Sequence, residues 1–413
     1  MSLIRPFAAL RPAPGHAPQV AAPPYDVLNS AEARARASGK PWSFLHVSRA
    51  EIDLAPNTDP HDPAVYAKAA ENFSRMLQAR VLVRDPQPCY YVYRLTMGEH
   101  VQTGLVAVAS VQDYESNRIR RHELTRPDKE DDRVRQIQAL KAQTGPVLLA
   151  YPGHEEVDAL LAQASNGAPE LDVTADDGVR HAVWVIRDSA IIARLTRAFD
   201  AMPALYIADG HHRSAAAARV AAARRAADPK AGEQASYDYF LSVIFPHHQM
   251  RILDYNRVVR DLNGLTPEQF LERVRRNFSV QESTGPVQPS RSGEFGCYLP
   301  HRWYRLQLHP ALRDTADPVA RLDVSLLAAH LIEPVLDVRD PRRDPRIDFV
   351  GGIRGLAELE RRVDGGEMAV AFSLFPTRME QLMAVADAGL MMPPKSTWFE
   401  PKLADGLVSY VLD

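Results

Sequence analysis

The stretch Ala204–Ala227, ALYIADGHHRSAAAARVAAARRAA, constrains this chain more than any other. An apolar, β-type run from Ala204 to Ile207 ends at Asp209-Gly210, and a strongly helix-forming, alanine-rich segment begins within two or three residues. The pattern predicts strand, tight turn, helix. His211, His212 and Arg213 then fall at the helix start, where the first backbone N–H groups lack internal partners and the macrodipole is positive. Such a place attracts anions, phosphate above all. Gly210 removes the side chain where backbone and ligand would approach closely. Asp209, at the carboxyl end of the strand, can orient an imidazole, hold a magnesium ion or accept a proton. The plainer reading is a turn that starts a helix and leaves its histidines in solvent.

A second chemical cluster lies in IRRHELTRPDKEDDRVRQIQALKAQ. It follows Cys89–Tyr114, which reads as a β-hairpin around Met97-Gly98-Glu99-His100. His122 and Glu123 come directly after a buried strand, while Asp132 and Arg133 are expected to open a helix whose Ile137 and Leu140 face inward. Acidic residues in a first helical turn often only complement the dipole, but that does not account for His-Glu at a strand end. Near the start, Pro23 and Pro24 hold PPYDV extended and present Tyr25 and Asp26 in a fixed direction, unless Asp26 or Ser30 merely caps the helix expected near Ala31. Near the end, Lys395 sits in a loop stiffened by Pro393-Pro394, where its ammonium can meet a phosphate or simply point into solvent.

The absent motifs narrow the chemistry. No G-x-x-x-x-G-K-[ST] and no helix-opening G-x-G-x-x-G occur, so any phosphate site must use the Gly210 turn. No G-x-S-x-G elbow suggests a serine hydrolase. His122-Glu123 has no second histidine at the H-E-x-x-H offset, and neighbouring histidines do not naturally face one ion; no zinc, haem or nicotinamide cofactor is expected. A formal net charge of -3 gives no global bias toward nucleic acid, and no apolar run is long enough to span a membrane. Two cysteines, Cys89 and Cys297, are too few for a disulfide framework. The N-terminus is broken by prolines before an apolar run develops, so a cytoplasmic protein is expected.

Asp-Gly-His-His-Arg after an apolar strand resembles the phosphate-binding box of the ParB and sulfiredoxin superfamily, which includes free L-serine kinases. PPYDV, RRHELTRPDKEDDR, ADGHHR and PPKSTWFEPKL together resemble the DUF1015 family over nearly the whole chain. The resemblance implies an α+β (mixed α/β) protein with a ParB/sulfiredoxin-like core in 1–289 and a second α/β lobe in 290–413. It implies nucleotide-dependent phosphoryl transfer to a small hydroxyl metabolite, free L-serine first, with Mg2+ and ATP or ADP. The alternative is a nucleotide-binding regulatory switch without chemistry. Partners would be a nucleotide and a small molecule, not nucleic acid or membrane, and nothing in the sequence sets the oligomeric state.

On this reading Gly210, His211, His212, Arg213, Arg133 and Lys395 bind phosphate, while Tyr25, Asp26, His122, Thr125 and Asp132 bind substrate. Asp209 orients the phosphates or holds magnesium, His212 assists, and Glu123 takes the acceptor's proton, with Asp26 or Glu51 as substitutes. A sulfiredoxin-like thiol rescue is disfavoured because histidine, not cysteine, follows Gly210. Among the elements, Ser43–Asp53 is expected as a strand and turn, Pro63–Ala79, Leu265–Phe278 and Val319–Leu336 as helices, and Leu171–Ser189 as a hairpin.

Overall fold

A computed structural model describes residues 2–228 and 235–413. The chain forms two compact units, Met1–Met250 with Pro401–Asp413, and Arg251–Glu400. Both mix sheet and helix, giving an α+β protein. The boundary anticipated near residue 290 falls inside the second unit, between two strands of one sheet.

The first unit is built on nine strands: β1 (Ile4–Arg5), β2 (Tyr90–Met97), β3 (His100–Ser110), β4 (Ile119–Arg120), β5 (Val147–Tyr151), β6 (Leu171–Thr174), β7 (Arg180–Ile186), β8 (Leu205–Asp209) and β9 (Tyr239–Pro246). Their order is β4-β8-β5-β9-β3-β2-β7-β6, with β1 also on β3. Most pairs are antiparallel, but β4 runs parallel to β8, and β5 parallel to β9. The β4–β8 pair matters most, because its two carboxyl ends emerge side by side and lead into the His122 and Gly210 clusters. All eight residues of β9 are buried, and the strand reads accordingly as a continuous apolar run rather than an alternating one.

The longer helices of this unit are α1 (Pro63–Gln78), α2 (Pro127–Leu140), α3 (Glu155–Ala164), α4 (Ser189–Asp200) and α5 (His211–Ala227). Leu195 and Phe199 of α4 and Ala215, Ala217 and Ala221 of α5 share one core with Leu149, Ile207 and Ile244. Alanine there lets the α5 backbone lie close to its neighbours at little cost in side-chain entropy. A second core joins Phe73 and Met76 of α1 to Phe44, Leu45 and Leu140. The tail returns to this unit: Asp405 pairs with Ala22, Ser409 with Leu10, and Tyr410 and Val411 with Gln143 and Ala142.

Five local expectations are corrected. Ser43–Asp53 holds two short helical turns, Leu45–Ser48 and Ala50–Asp53, because Phe44, Val47 and Ser48 at one-turn spacing bury a face as a strand would. The helix at Ser30–Ala37 is capped by Asn29 in a capping box with Glu32, so Asp26 and Ser30 are relieved of that role. Pro127 opens α2, its missing N–H costing nothing at the first position, so Asp132 and Arg133 lie in the second turn. Helix Pro267–Val274 stops before Phe278, which begins a strand, and the helix expected from Val319 begins at Asp323 and passes through a wider π turn at Ala328–Ile332.

The second unit carries a six-stranded antiparallel sheet in the order Phe278–Ser283, Arg302–Leu308, Glu294–Leu299, Val370–Leu374, Tyr255–Val259, Ile347–Gly351. Helix Leu356–Asp364 packs Leu359 and Val363 against it.

Candidate functional site

The anticipated strand, turn and helix at residues 204–227 form as β8, Gly210 and α5. Gly210 stands at φ +100°, a conformation that strains any residue with a Cβ, and no side chain caps the helix it precedes. The first helical bonds run from the Arg213 and Ser214 N–H groups to the Gly210 carbonyl. The donors before them remain available at the positive end of α5.

Arg213 folds back over this turn. Its Nη1 donates to the Pro146 carbonyl, and its Nη2 lies 3.8 Å from Asp209 Oδ1. Its Nε is buried without a hydrogen-bond partner. A Cβ on Gly210 would sit 2.9 Å from that Nε and 3.2 Å from Nη2. The glycine therefore lets the Nε–Nη2 edge, the edge able to grip a carboxylate or phosphate in two prongs, pack against the turn.

Asp209 also receives a cation that the sequence reading did not single out: Lys402 Nζ lies 3.4 Å from its Oδ2. Burial disfavours the charge on Asp209, but Lys402 and Arg213 outweigh it and hold the carboxyl well below the usual range. Asp209 is thus ionised at every pH the folded protein meets near neutrality.

The two histidines diverge. His211 is 3% exposed and turns toward the second cluster, its ring edge-on to His122 at 4.5 Å between centroids. Its Nε2 accepts the His122 backbone N–H at 3.4 Å, and its Nδ1 faces Glu123 Oε2 at 3.7 Å. Half-exposed His212 instead accepts the Arg126 backbone N–H on Nε2 at 3.1 Å, tying the loop after β4 to the start of α5. Neither imidazole is positioned as a solvated cation. Burial pushes both down, His211 well below the ordinary value, with His122 adding to that drop.

His122, Glu123 and His211, distant in sequence, bring one ligand-type atom each within 4.8 Å of one another. That grouping is the arithmetic of a metal centre, but the proton positions disfavour it. A neutral His211 whose Nε2 accepts from the backbone carries its proton on Nδ1, the nitrogen that faces Glu123 at 3.7 Å, and so offers an ion no lone pair there. His122 is 2% exposed, and burial brings it down to about 4; its ring nears the Ile207 carbonyl, yet neither nitrogen makes a bond of good geometry.

Asp132 and Thr125 are occupied elsewhere. Asp132 Oδ1 accepts from Tyr66 at 2.7 Å and from His61 at 3.1 Å, and Arg133 donates to Oδ2. Thr125 donates to Glu130, which with Asp131 pairs Arg219 and locks α2 to α5. Glu51 is buried between Ser30 and Arg49. Arg133 lies over the Tyr25 ring at 3.8 Å, and both line a cavity of about 30 Å³ with Ser48, Arg213 and Asp405. Burial raises the Tyr25 phenol to about 12. Asp26 is exposed. Lys395 belongs to the second unit, where its ammonium lies 5.7 Å from the centre of the Tyr255 ring.

Asp405, on the same tail as Lys402, is the other residue that sequence reading missed. It is 2% exposed, and burial raises its carboxyl to about 7 against the opposing charge of Arg213. The signal for both was present in PPKSTWFEPKLADG, but nothing local separates Lys402 from the proline-flanked Lys395, and the pairing of the Asp405 backbone with Ala22 is long-range.

Among the described residues no helix is long and apolar enough to cross a membrane. No curated protein matches the sequence. Solved structures that are similar include a free serine kinase in complex with AMP, 13% identical over 73% of this chain and 92% of that one at a TM-score of 0.35. SbnI with a C-terminal truncation from Staphylococcus aureus is 11% identical over 73% and 85% at 0.36, and a conserved hypothetical protein from Pyrococcus furiosus is 14% identical over 73% and 93% at 0.34. At these scores the likeness is loose and decides nothing about ligands. The family described as "Protein of unknown function (DUF1015)" matches residues 4–325, and over that span, most of its length, this chain belongs to the DUF1015 family.

Proposed function

We propose that the protein is a nucleotide-dependent phosphotransferase acting on a small hydroxyl metabolite, with free L-serine the first acceptor to try. The observation that carries this reading is the Arg213 guanidinium packed against Gly210 at the N-terminus of α5, with its Nε buried and without a hydrogen-bond partner. A guanidinium edge, helix-terminal N–H groups and a glycine without a Cβ are complementary to a phosphate, and a ParB/sulfiredoxin-like box uses the same kinds of group.

In the transfer, the acceptor oxygen forms a bond to phosphorus while the bond from phosphorus to the donor's bridging oxygen breaks. The hydroxyl proton passes to Glu123, whose carboxylate stands 3.7 Å from His211 Nδ1. Arg213 and the helix terminus offset the charge that spreads over the phosphoryl oxygens. Asp209, ionised and partly exposed, is the residue that would hold a nucleotide's Mg2+, which would supply charge neutralisation at the phosphates. His212 serves indirectly, by holding the Glu123 loop through Arg126.

Purified protein with Mg2+ and ATP, ADP or pyrophosphate, incubated with a pool of hydroxyl metabolites including L-serine, is expected to yield one product heavier by one phosphate. Glu123→Gln should abolish it, and Arg213→Lys, which keeps the charge and loses the edge, should weaken nucleotide binding by about tenfold or more. Binding without turnover in the wild type would replace the enzyme by a nucleotide-gated regulatory protein. Failure to bind any phosphate compound would end both readings.

A further inference from the structure

We propose that the second unit carries an anion site of its own, a cleft lined by Arg313, Arg321 and Arg378 that takes a small phosphate ester bearing free hydroxyl groups. The proposal does not depend on the nucleotide reading of the Gly210 turn.

The cleft has a volume of about 670 Å³, in the range of small-molecule sites, and every residue that lines it belongs to Arg251–Glu400. Three separate segments bring its arginines. Arg313 ends the helical turn Pro310–Leu312, Arg321 lies just before helix Asp323–Leu327, and Arg378 directly precedes helix Met379–Asp387. Arg313 is placed by close packing on a glycine. Gly293 stands at φ +79°, and a Cβ there would lie 2.8 Å from both Nε and Cζ of Arg313. The Gly293 N–H donates at 2.5 Å to Asp323, a carboxyl only 4% exposed. Burial disfavours the charge on Asp323, and the fields of Arg313 and Arg378 oppose that effect. Two guanidinium groups from distant segments thus converge on one buried carboxyl at the cleft.

The helix that follows Arg378 adds its positive end. No side chain caps it; the Gln381 and Leu382 N–H groups reach the Arg378 carbonyl, and the donors of Met379 and Glu380 come before them. The Phe375 ring, 5.3 Å from Arg378 Cζ, supports that guanidinium without consuming one of its N–H donors. Two carboxylates, Asp314 and Glu380, line the same cleft. Among the described residues, neither forms an ion pair with any of the three arginines.

That separation gives the ligand its chemistry. A phosphate group offers oxygens to guanidinium edges and helix-end N–H groups together. A carboxylate accepts hydrogen bonds and donates none, so Asp314 and Glu380 repel a second phosphate but complement hydroxyl groups. One phosphate with hydroxyls around it satisfies both halves of the cleft; a polyphosphate satisfies only one.

The test is binding of glycerol 3-phosphate, ribose 5-phosphate, glucose 6-phosphate, inorganic phosphate and glucose to the full chain, by calorimetry and by hydrogen-exchange mass spectrometry. At least one ester is expected to slow exchange in 310–322 and 378–383 and to bind about threefold or more tighter than inorganic phosphate, as added hydroxyl contacts predict, while glucose alone leaves both segments unchanged. Arg313→Gln and Arg378→Gln should each weaken that ester by about tenfold, the loss of a charge-assisted contact. Asp314→Asn with Glu380→Gln should narrow the gap between ester and inorganic phosphate. These side chains are exposed, so thermal midpoints should stay at the wild-type value and report that the unit remains folded. Absence of protection in both segments with every probe overturns the proposal, and so does protection that survives both arginine variants. Inorganic phosphate bound as tightly as every ester overturns the assignment of ligand class.

Discussion

At the scale of single residues, one buried carboxyl dominates the expected pH behaviour. Asp405 titrates near 7 in the folded chain against an ordinary 3.8. Between those values the folded state binds a proton that the unfolded state has lost, so stability falls as pH rises from about 4 to about 7 and levels off above. Asp209 has the opposite sign, its folded value being depressed, and its contribution is lost only as pH drops below the ordinary carboxylate range. Asp405→Asn should flatten the slope of the unfolding midpoint between about pH 4 and about pH 7, and a slope that persists would assign it to another group. Gly210→Ala puts a Cβ at φ +100° and 2.9 Å from Arg213 Nε. We expect a destabilisation of about 1–3 kcal/mol in denaturant unfolding, together with loss of phosphate binding.

At the scale of elements, the site depends on two parallel strands and the segments that leave them. β4 and β8 share a register, Leu205 opposite Ile119, and so launch Glu123 and Gly210 from adjacent places. A contact 86 residues apart in sequence, from the Arg126 N–H to His212 Nε2, then fastens the loop. His212→Ala should leave the Arg126 amide exchanging markedly faster by hydrogen-exchange mass spectrometry, with the β8 amides unchanged. Equal protection in both proteins would mean that Thr125, Glu130 and Arg219 suffice to hold the loop. The strand-turn-helix at residues 204–227 and the hairpins were legible because their signals are local: alternation, glycine at a positive φ, and a helix-forming run. The short helices at 45–53 were not, since four or five apolar residues fit either period.

At the scale of the whole molecule, the chain leaves the first unit after Met250, builds Arg251–Glu400, and returns with thirteen residues that carry Lys402 and Asp405. A chain ending at Glu400 should lose hydrogen-exchange protection at Leu10, Ala22 and Gln143, whose partners sit on the tail, and keep it at Val258 and Cys297 in the second unit. Loss at all five sites would show that the tail supports both units. The sequence by itself determined the Asp209-Gly210 turn into a helix, the His-Glu cluster after a strand and the mixed α and β character, because each follows from spacing within a few residues. Only the tertiary structure decided that His211 packs edge-on to His122 and faces Glu123 while His212 accepts from the Arg126 loop, that Asp132 is spent on Tyr66 and His61, and that the lysine at Asp209 is Lys402. Those outcomes depend on which segments are neighbours in space, and burial, proton position and ion pairing are properties of that neighbourhood rather than of any one stretch of chain.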